Sequence, residues 1–80
     1  MVPRITDMRY ISECRVWLRF ADGKEGEVDL KDELWGEVFE PLENHEQFKT
    51  VYLDRELNTI RWENGADFAP EYLYARLMVG

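Results

Sequence analysis

Two runs of strict alternation flank a single Asp-Gly pair in this chain. From Cys14 to Phe20 the even positions Cys14, Val16, Leu18 and Phe20 are apolar, with Arg15, Trp17 and Arg19 between them. After Asp22-Gly23, Gly26, Val28 and Leu30 alternate with Glu25, Glu27 and Asp29. A period of two puts one set of side chains on each face of a strand, so each run predicts a strand with one buried face. Asp-Gly supplies the positive-φ turn that joins two such strands antiparallel. Upstream, "RITDMRY" reads as a further strand in which Ile5 and Met8 fall out of phase, the mark of a bulge or bend. The first thirty residues therefore predict a three-stranded meander.

The remainder must complete one core. Eighty residues make a single domain, 1–80, and a chain of this size buries only about 60% of the surface it exposes when unfolded. Four Phe, three Trp and four Tyr supply material for that core. Leu30, Leu34, Val38 and Leu42, with Trp35 and Phe39 beside them, recur at helical spacing, and Gly36 and Pro41 limit any helix there to about two turns. "NHEQF" predicts one more helical turn with Asn44 as its N-cap. Val51 and Leu53, then Ile60 and Trp62, alternate with polar neighbours around "RELN", predicting a second hairpin. Asn64-Gly65 supplies another positive-φ turn, and Pro70-Glu71 opens a final helix on which Leu73/Leu77 and Tyr74/Met78 are i,i+4 pairs. The expected fold is α+β: a small antiparallel sheet, three-stranded meander plus second hairpin, with short helices packed on one face.

Charge and cysteine content narrow the setting. The one cysteine, Cys14, has no internal disulfide partner, no signal-like apolar run opens the chain, and no stretch approaches the ~20 apolar residues of a membrane span. A cytoplasmic protein without membrane association is expected. The net charge of −7 argues against direct nucleic-acid binding. Ten acids between Asp22 and Glu46 face only Lys24 and Lys31 in that interval, and the rest of the chain is close to neutral. Such a segment is either a solvated face or an anionic surface for a basic partner.

Four stretches, "FADGKEGEVDL", "LWGEVFEPL", "FKTVYLD" and "TIRWENGADFAPEYLY", resemble the family known as domain of unknown function 2442, short prokaryotic proteins. The resemblance covers nearly the whole chain, and Trp62 to Tyr74 is its most specific part. It implies a small α+β fold and no established activity. Some members carry a C-terminal helix-turn-helix domain, and others are encoded beside small toxin-like proteins; with Gly80 as its last residue, this chain is expected to lack the DNA-binding half. Family members often have Pro where this chain has Glu63, which implies a strand running one residue further here.

Candidate chemistry is sparse. His45 falls in a polar turn, Cys14 points into the core by its phase, and Ser12 has no motif partner, so no nucleophile–base pair is evident. Asp29, Asp32 and Glu33 lack the loop of a calcium site, no Cys/His set suits zinc, and no glycine-rich phosphate loop occurs. A non-enzyme without metal or cofactor is expected. The solvent phase of the strands carries Arg15, Trp17, Arg19, Tyr52, Thr59 and Arg61, in which arginine stems shield rings or the Arg15/Trp17/Arg19/Arg61 face meets a partner or forms a homodimer. The corner at Asn64-Gly65 has two readings. In one, Asp67 satisfies bare backbone N–H groups before Pro70; in the other, Trp62, Asn64 and Asp67 bound the pocket of a small-ligand sensor. The leading expectation is a protein-interaction module, the antitoxin-like or regulatory component of a two-gene system whose neighbour-encoded partner is basic.

Overall fold

The computed structural model describes residues 3–77. Its meander comprises β1 (Ile5–Ser12), β2 (Arg15–Phe20) and β3 (Glu25–Asp29), paired antiparallel in the order β1-β2-β3. Val16 lies opposite Val28 and Leu18 opposite Gly26, so the even phase of both strands shares one face. Val16, Leu18, Phe20 and Val28 are almost wholly withdrawn from solvent. The expected irregularity of β1 is present: its register shifts between Ile5 and Asp7 and again between Tyr10 and Ser12. Gly23 closes the β2–β3 turn at φ +94°, and the Asp22 carboxylate accepts the Lys24 N–H at 2.9 Å.

The second sheet contains β4 (Tyr52–Asp54) and β5 (Thr59–Arg61). Asp54 organises their turn, its Oδ1 accepting the N–H groups of Glu56 and Leu57 at 2.8 and 3.0 Å, and Asn58 takes the positive φ. Strand β5 stops at Arg61, so Glu63 in place of proline does not lengthen it: Trp62 already closes a turn, its N–H donating to Ala66 and its C=O accepting from Gly65. Short helices α1 (His45–Phe48) and α2 (Pro70–Arg76) complete the fold. Asn44 caps α1 by accepting the Glu46 N–H, and Pro70 occupies the first turn of α2. Leu73 and Leu77 are buried as their spacing demands, while Met78 and its pairing with Tyr74 lie outside the described residues.

One hydrophobic cluster joins both sheets, with Phe20, Leu30, Phe48, Ile60, Trp62 and Leu73 among its most enclosed members. The expected two-turn helix after Leu30 does not form. That stretch contains only 3-10 turns at Lys31–Glu33 and Glu40–Glu43, with Gly36 at φ +94° between them. Leu34 and Leu42 reach the core, but Val38 is exposed and Trp35 retains 73% of its accessible surface. The positive φ interrupts helical backbone, and Pro41 lacks the N–H that a continuing helix would use.

Candidate functional site

Residues 64–68 form a corner fixed largely by Asn64. Its Oδ1 accepts the Ala66 N–H at 3.0 Å and its Nδ2 donates to the Val38 carbonyl at 2.9 Å, tying the turn to the irregular segment. Gly65 has φ +94°, as expected. Trp62 is a core residue whose indole N–H donates to the Phe48 carbonyl at 2.9 Å, and Thr59, expected on the solvent phase, is buried with its hydroxyl donating to the Phe68 carbonyl at 2.6 Å. Capping by Asp67 is not observed. Ala69 precedes α2 without a side-chain cap, and Asp67 is exposed. The corner is therefore held by Asn64, and of Trp62, Asn64 and Asp67 it is Asp67 that faces an open groove.

That groove, of about 440 Å³, lies between the irregular segment and the start of α2, with Trp35, Phe39, Phe68, Tyr72, Glu33 and Asp67 on its walls. The Phe39 and Phe68 ring centroids are 4.9 Å apart, and Phe68 and Tyr72 stack within 10° of parallel at 5.9 Å. Phe68 packs in turn on Trp62 at 6.0 Å, which anchors the aromatic wall in the core. Arg76 lies 5.7 Å from the Tyr72 ring centre and pairs with Glu33 at 3.1 Å. Desolvation and the neighbouring Glu33 carboxylate raise the Tyr72 hydroxyl above its ordinary pKa, so the phenol stays neutral through physiological pH. The groove is not apparent from sequence because Trp35 and Phe39 stand beside Leu30, Leu34, Val38 and Leu42 at helical spacing. The available signal was the interruption of that helix by Gly36 and Pro41, which leaves a large ring without a helical neighbour.

The basic-aromatic face divides between the two sheets. Arg15, Trp17 and Arg19 share the outer side of β2, where Trp17 lies between the guanidinium groups of Arg9 and Arg19, 5.5 and 5.2 Å from its ring centre. Arg19 pairs with Glu25 at 3.1 Å and approaches Asp7, and Arg15 approaches Asp29. Arg61 belongs to the second sheet and turns to Asp54 at 3.2 Å, with its Nε buried and unpartnered. The Arg9 and Arg19 side chains thus cover part of Trp17 within the chain itself.

A second cleft, of about 400 Å³, brings Cys14 and His45 to common walls with Asp29, Asp32 and Glu43. Burial, then the Asp29 and Glu13 carboxylates, push the Cys14 thiol above its ordinary pKa. A nucleophilic cysteine needs the reverse, an electropositive setting that favours thiolate. Among the described residues no three His, Cys, Asp or Glu side chains converge to hold a metal ion, and no helix is long and apolar enough to cross a membrane.

The model of the family described as protein of unknown function (DUF2442) matches residues 5–78, and the chain belongs to that family. No curated protein and no solved structure matches it.

Proposed function

We propose that this member of the DUF2442 family is a non-catalytic protein-binding module that meets a basic partner through its acidic segment. The exposure of Trp35 carries the reading. A large ring left in water costs the hydrophobic stabilisation its burial would give, of order 2 kcal/mol, and an exposed Trp is well suited to become an interface anchor. Nine of the ten acids from Asp22 to Glu46 are exposed, and Asp32, Glu37 and Glu40 stand within five residues of Trp35 in the chain, so the segment that presents the ring is anionic. Complementary charge accelerates encounter and rejects acidic competitors, while the ring supplies contact area. The buried, thiol-form Cys14 further supports a non-catalytic role.

Within this reading the chain acts as the antitoxin-like or regulatory half of a two-gene system in the cytoplasm, and the partner is encoded beside it. Co-expression with the neighbouring gene product, followed by size-exclusion chromatography, tests the proposal. A complex that forms at low salt and weakens as salt rises is expected. Two species that elute separately at low salt would remove it.

A further inference from the structure

We propose that the groove between Trp35 and α2 receives one arginine side chain of the basic partner, a refinement that rests on the partner-binding reading above. The chemistry of the walls selects the occupant. Trp35, Phe39, Phe68 and Tyr72 present aromatic surface, and Glu33 and Asp67 add carboxylates at the same opening. Glu33 is already paired with Arg76, so an anion would meet repulsion from Asp67, and a purely apolar group would desolvate that carboxylate without replacing its lost water contacts. A cation satisfies both features, because aromatic faces and carboxylates attract it together. Guanidinium fits better than ammonium: it is planar, stacks on rings, is weakly hydrated and forks onto carboxylate oxygens.

The chain already shows this chemistry at the rim. Arg76 places its guanidinium against Tyr72 while pairing with Glu33 at 3.1 Å. That arrangement uses one carboxylate and one ring. Asp67 makes no ion pair among the described residues, and Trp35 is the most exposed of the large hydrophobic side chains. The exposed Trp35 ring and the Asp67 carboxylate therefore remain for a second guanidinium, arriving from a partner that the acidic segment attracts.

The test uses the full chain labelled with nitrogen-15, its Trp35 indole signal assigned by Trp35→Phe. N-acetyl-arginine amide is titrated against its uncharged counterpart N-acetyl-citrulline amide, which has nearly the same shape. The arginine compound should shift the Trp35 indole signal saturably and leave that of buried Trp62 in place. The citrulline compound should bind about tenfold more weakly, and Asp67→Asn should weaken arginine binding about fivefold with an unchanged melting temperature. Equal shifts from both compounds would overturn the assignment. So would tetramethylammonium binding as tightly as arginine, which marks a small-cation site, or Trp35 shifts that grow with protein concentration alone, which mark a second copy. Should the neighbour-encoded protein bind wild type and the Trp35→Ala and Asp67→Asn variants equally, the arginine assignment fails and the partner-binding reading stands. Saturable arginine binding without any such complex supports the assignment and removes the partner.

Discussion

Strand β2 and the segment from Lys31 to Glu43 both carry apolar residues at regular intervals, and they fold by different rules. In β2, Val16, Leu18 and Phe20 are all buried, since each turn of the alternation is enforced by a hydrogen-bonded neighbour on both sides. In the other segment the spacing is equally regular, yet only Leu34 and Leu42 are buried while Trp35 and Val38 remain in water. The difference lies in the backbone. A strand borrows its ladder from neighbouring chain, whereas a helix must supply its own, and Gly36 at positive φ and Pro41 interrupt it. Apolar periodicity sets a fold only where the backbone can complete the matching hydrogen bonds.

Truncating each region should separate them most widely. Leu18→Ala opens a cavity under the meander and should cost about 2–5 kcal/mol in denaturant unfolding. Trp35→Ala should change stability by no more than about 0.5 kcal/mol, despite removing a larger side chain. A Trp35→Ala loss as large as that of Leu18→Ala would show that the ring packs and that the comparison is false.

Turn substitutions sharpen the contrast. No atom stands within 4 Å of a Cβ added at Gly65 or Gly36, so any cost comes from backbone strain. Gly65 donates its N–H to the Trp62 carbonyl inside a turn that the Trp62 N–H closes on the Ala66 carbonyl, and Gly65→Val should cost about 1–3 kcal/mol. Gly36→Val should cost less, about 1 kcal/mol, because a loop can redistribute strain that a core-anchored turn cannot. At the same corner Asn64→Ala should cost about 1 kcal/mol through two lost hydrogen bonds, and Asp67→Ala about 0.5 kcal/mol or less. Thermal melts of these four variants give the ranking.

The smallest effect is one of pH. Tyr74 on α2 donates its hydroxyl to Asp22 in the β2–β3 turn at 2.6 Å, which lowers the Asp22 pKa and raises that of Tyr74. The lowered carboxylate contributes stability above its unfolded value of about 3.9, lost as pH falls through the folded value. The raised phenol contributes below its unfolded value of about 10, lost as pH climbs through the folded one. The melting difference between wild type and Tyr74→Phe should therefore be flat near neutrality and narrow toward both extremes. A difference independent of pH would show that the Tyr74–Asp22 hydrogen bond does not carry it.

The meander, the second hairpin and the Asn44 cap were legible because each rests on local signals: alternation, the Asp-Gly turn, the polar turn at "RELN", a polar cap. The first irregularity of β1, between Ile5 and Asp7, was visible as Ile5 and Met8 out of phase, whereas the second, between Tyr10 and Ser12, carried no such signal. What escaped was set by contacts distant in sequence. Asn64 reaches Val38 across 26 positions, which sequence alone cannot show, so the capping role fell to the wrong acid, Asp67. Thr59 alternates as a solvent residue, yet Phe68 folds back over it to take its hydroxyl. The groove was hidden for the same reason, since its walls come from residues 33–39 and 67–72 and are brought together only by the corner between them.

On the proposed reading the irregular acidic segment, and not the ordered sheet face, is the surface offered to a partner. Hydrogen–deuterium exchange of the chain alone and with the neighbour-encoded protein tests it directly. Binding should slow exchange in residues 31–43 and 67–72 and leave β2 unchanged. Protection confined to the Arg15, Trp17 and Arg19 face, with residues 31–43 exchanging as freely as before, would contradict it.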